Sequence, residues 1–202
     1  MSEDPSTAVP RSPFEDLRAG QSPNAAGQIG VHLQAGMLPS VTQVSTWISG
    51  VAGLEQALTA LLGQRPPTQP GHTLATALGL LVRTGPEEFL LVSDQPADNT
   101  TALRRHVAAD VGAVTDLSHA RCRIRLHGER WRDTLSKLFP LDLRDAAFPV
   151  GEARLTGHHH VPAILHRTGP DQVDMYVFTT YAHDQLQALS DAALEYGMTL
   201  AA

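Results

Sequence analysis

The chain has 202 residues, 42% of them hydrophobic, a formal net charge of -6 and one cysteine. That length and apolar content support a real core in one compact domain of two subdomains. The acidic balance argues against duplex nucleic acid, whose phosphates need clustered Lys and Arg, and the single Cys122 excludes an internal disulfide or a thiolate metal cluster.

Residues 1 to 27 mix Pro, Ser, Gly and charge, the composition of a flexible tail. The start lacks the basic and apolar stretches of a signal peptide, and no run reaches the length of a membrane span, so the expectation is a cytoplasmic protein. Phe14 and Leu17 are the apolar pair that a partner subunit could bury to order this tail.

Residues 28 to 112 read as a first lobe. An extended segment, Ile29 to Leu33, precedes a β-branched run from Val41 to Ile48 that ends in Trp47 and is broken by Gly50 and Gly53. Leu54, Ala57, Leu58, Leu61 and Leu62 recur at helical spacing and predict a helix ending near Gly63. A proline-rich loop, Arg65 to Gly71, leads to two apolar runs joined by Arg83-Thr84-Gly85-Pro86, a hairpin signal. Asp98, Asn99 or Thr100 can cap a short helix carrying Leu103 and Val107, which stops by Gly112.

Residues 113 to 202 repeat the order as a second lobe. Cys122, Ile124 and Leu126 alternate with Arg123 and Arg125, a half-buried strand closed by Gly128. Trp131, Leu135, Leu138 and Phe139 line a helix that Pro140 ends. After a loop through Pro149 come a strand, Glu152 to Thr156, and a second hairpin around Arg167-Thr168-Gly169-Pro170. Leu186, Leu189, Ala193 and Tyr196 share one face of a last helix, with Gly197 as its stop. The two identical tetrapeptides lie 84 residues apart. Each half therefore reads strand, helix, strand, strand, helix, with a right-handed helical crossover onto its sheet. The expectation is an α+β fold of two duplicated lobes, each too small to stand alone, sharing a core.

No motif carries catalysis. His158, His159 and His160 would place two imidazoles on one strand face, and zinc would need further ligands from His127, His166 or His183; a polar strand end near a turn is the favoured reading. Arg121, Arg123 and Arg125 share one strand face. They read either as an anion clamp or, preferably, as a sheet surface facing a subunit whose carboxylates compensate the charge. Asp116, Ser118 and His119 lack the glycine-flanked elbow of a hydrolase nucleophile, and Cys122 reads as a packed thiol. Neither a dinucleotide fingerprint nor a phosphate loop nor a carboxylate pair stands out, so no catalytic, cofactor-binding or metal residue is assigned.

One stretch does identify a family. Asp116-Leu117-Ser118-His119-Ala120-Arg121-Cys122-Arg123-Ile124-Arg125-Leu126-His127-Gly128 precedes an amphipathic helix and Pro140-Leu141-Asp142-Leu143. Ala147-Phe148-Pro149-Val150-Gly151, Leu165-His166-Arg167 and Asp174-Met175-Tyr176-Val177 follow. This order resembles the gamma subunit of heterotetrameric sarcosine oxidase and of related N-methyl amino acid oxidoreductases, best from Val114 to Gly197. The resemblance implies a fold similar to the folate-binding domain of the glycine-cleavage aminomethyltransferase. It implies a non-catalytic chain beside an alpha subunit with NAD and a tetrahydrofolate site, a beta subunit with FAD and covalent FMN, and a delta subunit with zinc. Direct contact is expected with the large alpha subunit. Leu117, Ser118, His119, Arg121, Arg123, Arg125, Gly128, Phe148, Pro149, Gly151, His166 and Arg167 are then signature or interface residues. Phe14, Leu17, Trp47, Phe148 and the arginine face are the surface candidates. The competing readings are a stand-alone folate-binding protein, which needs an anchoring carboxylate and aromatic stacking, and a histidine-dependent zinc hydrolase.

Overall fold

A computed structural model describes residues 11–201. Four layers stack in the order helices, sheet, sheet, helices. The first sheet runs in the order β4(Thr73–Thr76), β5(Gly79–Gly85), β6(Glu88–Ser93), β3(Ser40–Thr46), β7(Gly112–Asp116). The second runs β1(Gly20–Ser22), β12(Met198–Ala201), β2(Val31–Met37), β8(Arg121–His127), β11(Gln172–Phe178), β10(Val161–Gly169), β9(Ala153–His158). Helices α1(Val51–Leu62) and α2(Asn99–Arg104) cover the first sheet, and α3(Trp131–Ser136) and α4(Ala182–Ala193) cover the second.

The alternation in each strand decides these layers. Phe89 and Leu91 meet Leu54, Leu58 and Leu103 under α1 and α2. Their neighbours Leu90 and Val92 turn the other way, toward Ile164 and Tyr176 of the opposite sheet. In β8, Cys122, Ile124 and Leu126 join Trp131, Leu135, Leu186 and Leu189 in the largest core, so Arg121, Arg123 and Arg125 face the crevice between the sheets.

The chain is a duplicated α+β fold, and the repeat unit is larger than the sequence predicts: strand, strand, helix, three strands, helix. The order β4-β5-β6-β3-β7 in one sheet matches β9-β10-β11-β8-β2 in the other. The leading strand of each unit has changed sheets. β2, from the first half, pairs with β8, and β7, from the second, pairs with β3. The halves thus exchange a strand as well as share a core. The pairings are antiparallel except for β12 with β2, so the helices cross over within antiparallel sheets.

The N-terminal segment departs from a free tail. Phe14 is buried in the largest core, Leu17 packs against it, and Gly20–Ser22 pairs with Met198–Leu200. The first ten residues of that predicted tail lie outside the described residues. Helix ends follow the expected signals: Gly63 adopts φ 71° after α1, and Asp98 accepts the amide of Thr101 to start α2. Among the described residues, no helix is long and apolar enough to cross a membrane.

Candidate functional site

The two copies of Arg-Thr-Gly-Pro form the same device. Each hairpin carries a register shift between its Arg and its Gly. Arg83 is 5% exposed and Arg167 3%. Each guanidinium folds back on its own turn: Nε donates to the carbonyl of Gly85 or Gly169 at 3.2 Å, and Nη2 donates to the carbonyl of Pro86 or Pro170. Nη1 then leaves the turn. In Arg83 it reaches Glu55 at 2.7 Å and the Pro67 carbonyl at 2.9 Å; in Arg167 it reaches the Phe148 carbonyl at 2.7 Å. A planar fork that satisfies several carbonyls at once is work that only arginine does.

Phe148 is wholly buried in the largest core, and Phe14 is buried with it. Neither is available as surface for another subunit, because each fills the space beneath the second sheet of its own chain. Gly151, at φ 90°, donates its amide to the Arg167 carbonyl, and the Pro149 carbonyl accepts from Glu152. Gly128, at φ 119°, comes so close to Gly30 that a Cβ would lie 2.5 Å from its carbonyl oxygen. Leu117 packs at the edge of the small core between the sheets.

Asp116 and Ser118 bond directly to each other: Ser118 Oγ donates to Asp116 Oδ1 at 2.6 Å and accepts the Val41 amide at 3.0 Å. These hydrogen bonds hold the Asp116 carboxyl below the usual carboxylate range. No imidazole comes between them, and His119 is exposed with its carbonyl accepting from Thr179. The trio ties a turn to β3 and is not a triad. Cys122 is fully buried, and burial pushes its thiol up to about 12, so it is no thiolate at neutral pH.

His159 and His160 form the two-residue turn between β9 and β10, both at positive φ (47° and 66°), a strained choice for residues with a Cβ. His158 stacks on His159 at 4.0 Å and is buried beside Phe139, whereas His127 stacks on His32 at 4.7 Å across β2 and β8. Among the described residues, no three His, Cys, Asp or Glu side chains gather as a metal-ligating group.

The arginine stripe supplies the site with most chemical potential. It lies inside the chain, between the sheets, and its compensating carboxylates come from the same chain. Asp174, 2% exposed, takes Arg125 in a fork: Nε to Oδ1 at 2.6 Å and Nη2 to Oδ2 at 2.8 Å. Arg123 reaches Asp94 at 2.5 Å and lies 3.7 Å from Asp174. A cleft of about 400 Å³ opens here, with Tyr176, His166 and Asn99 also on its walls. Burial pushes the Tyr176 phenol up and the His166 imidazole down. His166 is 7% exposed, and its Nδ1 has no partner among the described residues. The cleft can hold a small polar molecule, but its charges are already neutralised in pairs. Sequence reasoning named Asp174 and Tyr176 only within the family-carrying run and Asn99 only as a helix cap, and placed none of them, nor Asp94, at a site. Asp174 carried one signal, a carboxylate within an otherwise apolar strand run.

The comparisons with known proteins agree along almost the whole chain. The gamma subunit of sarcosine oxidase from Arthrobacter sp. is 31% identical over 193 residues, 95% of this chain and 93% of that protein. The gamma subunit from Corynebacterium sp. (strain P-1) is 30% identical over 192 residues, with the same coverage of 95% and 93%. No protein-family model matches. A chain of the heterotetrameric sarcosine oxidase from Corynebacterium sp. U-96, solved in complex with pyrrole 2-carboxylate, superimposes with a TM-score of 0.79 at 26% identity, over 92% of this chain and 95% of that one. The glycine cleavage system aminomethyltransferase T from Bartonella henselae shares the fold, with a TM-score of 0.65 at 12% identity over 93% of this chain and 57% of that one. Identity that runs from end to end, on a matching duplicated fold, makes this chain a member of the sarcosine oxidase gamma subunit family.

Proposed function

We propose that this chain is the gamma subunit of a cytoplasmic, heterotetrameric sarcosine oxidase-like complex. The complex oxidatively demethylates an N-methyl amino acid such as sarcosine, and the chain serves it as an accessory, non-catalytic part. The observation that carries this reading is the end-to-end likeness to gamma subunits, 31% identical over 95% of the chain. The interior supports it: the buried arginines serve turns, the thiol is packed and the cleft's charges are paired within the chain. FAD, covalent FMN, NAD, tetrahydrofolate and zinc then belong to alpha, beta and delta partners, with the large alpha subunit in direct contact.

Such a subunit needs an apolar contact surface. Trp47 is 54% exposed and its neighbour Ile48 86%, an apolar pair held out on the turn before α1. Changing both to Ser should weaken assembly with the partner subunits while leaving the melting temperature of the isolated chain unchanged. Co-purification at wild-type yield would remove this pair from the interface.

A stand-alone folate-binding protein is the second reading, and the cleft between the sheets is the observation in its favour, with Tyr176 on its wall and Asp174 at its base. It is weaker because both Asp174 oxygens are held by Arg125. Calorimetric titration with tetrahydrofolate separates the two: heat from the isolated chain favours the second reading, and silence disfavours it.

A further inference from the structure

The end of the arginine stripe is unlike the rest of it. Arg123 and Arg125 have carboxylate partners, whereas Arg121, at the start of β8, has none among the described residues. Its Nε is shielded from solvent without an acceptor. Its guanidinium carbon sits over the ring of Phe178, 3.7 Å from the centroid, which anchors the head group there. Glu88, on the same groove, pulls on it from a distance but makes no ion pair with it. One Glu88 oxygen accepts from Gln43 at 2.6 Å, the other from Thr84 at 2.7 Å. Desolvation outweighs the pull of Glu88 and lowers the guanidinium's pKa.

Arg121 stands in a groove of about 420 Å³, separate from the cleft that holds Arg123 and Arg125. The groove's other walls are mixed: Gln43, Thr84, Glu88 and Leu90 from the first sheet, and Leu155, Thr156, Pro162 and Ile164 from the second, so its apolar side is the β9–β10 side. It reaches β9, the outermost strand of the second sheet, where Leu155 is 44% exposed. A cation half-withdrawn from water with no direct ion pair and an unpartnered Nε is a standing cost to the folded chain. What matches this surface is a carboxylate carried on an apolar body.

We propose that this groove is a docking site for a partner polypeptide, which inserts an Asp or Glu side chain onto Arg121 and lays an adjoining apolar residue against Leu155 and Pro162. The proposal rests on the subunit reading above and names one point of contact within it. A planar guanidinium anchored on Phe178 can receive a carboxylate through two parallel hydrogen bonds. Because the pair closes in a desolvated groove, its loss acts on the rate at which the partner leaves.

The test uses the full chain, co-produced with the partner subunits of its complex. Arg121→Gln should weaken assembly by about tenfold or more, whereas Arg105→Gln, which removes the same charge from an exposed helix end, should not. Leu155→Ser should weaken it too, and a photo-crosslinking phenylalanine analogue in place of Leu155 should label a partner segment that contains Asp or Glu. Arg121→Met supplies the folding control: in the isolated chain its melting temperature should stay close to the wild-type value, because Arg121 has no ion pair to lose and Met keeps the length of its apolar stem. Wild-type affinity in both Arg121→Gln and Leu155→Ser, while the wild-type complex forms, overturns the docking site and leaves the subunit reading standing. A wild-type chain that never joins partner subunits overturns both. Arg121-dependent stabilisation of the isolated chain by acetate, with assembly unaffected by Arg121→Gln, makes the occupant a small carboxylate and overturns the polypeptide.

Discussion

At the scale of single residues, the buried polar groups set how this chain responds to pH. His166 sits beside Arg125, Asp174 and the Gly151 backbone. Burial pushes its pKa below the ordinary value of 6.5, and Arg125 adds to this against the opposing pull of Asp174. The unfolded chain therefore binds a proton before the folded one does, and stability rises with pH across that interval. The resulting loss begins as pH falls through 6.5 and is complete below the folded value. The melting temperature should fall between about pH 7 and about pH 5, and His166→Gln should reduce that fall. An identical pH slope in the variant would show that His166 does not carry it, leaving His127 and His158, which burial also lowers. None of this was legible in the sequence, where the histidines stood out as a triplet. That triplet is a turn, with His159 and His160 at its tip and His158 stacked on His159, whereas His166 lies apart from it and faces the crevice.

At the scale of elements, the repeated tetrapeptide marked both hairpins correctly, because Gly and Pro between apolar runs are local signals. The burial of its arginines was not legible, since the carbonyls they bind come partly from Pro67 and Phe148, distant in sequence. Arg167→Met should cost about 3 kcal/mol, leaving inward-facing carbonyls of Phe148, Gly169 and Pro170 without donors. Arg167→Lys should recover little of it, since a point charge cannot replace the fork. Urea unfolding reads both; a change near zero in Arg167→Met would mean that water satisfies those carbonyls. The salt link from Arg167 to Asp145 adds little, since the Asp145 side chain is 76% exposed. Short edge strands were the elements missed. Thr73–Thr76 and Gly112–Asp116 are partly exposed and lack a clean apolar alternation.

At the scale of the molecule, the duplication was readable but the exchange of leading strands was not. Sheet membership is a long-range property, and nothing local in Val31–Met37 says that it will pair with Arg121–His127, some ninety positions on. The exchange locks the halves together, so the crevice between the sheets is a fixed feature and not a hinge between free lobes. The arginine stripe shows the same limit. Its alternation on one strand face was legible, but its partners Asp94 and Asp174 reach it only through the fold. The proposed role of this doubly built chain, one subunit of a flavin-bearing oxidase, can be tested on the whole assembly. The most direct test is to purify the chain natively from its own cells, record the visible spectrum and weigh every polypeptide that accompanies it. Flavin absorbance and three further subunits are expected; a colourless protein eluting alone would rule the role out.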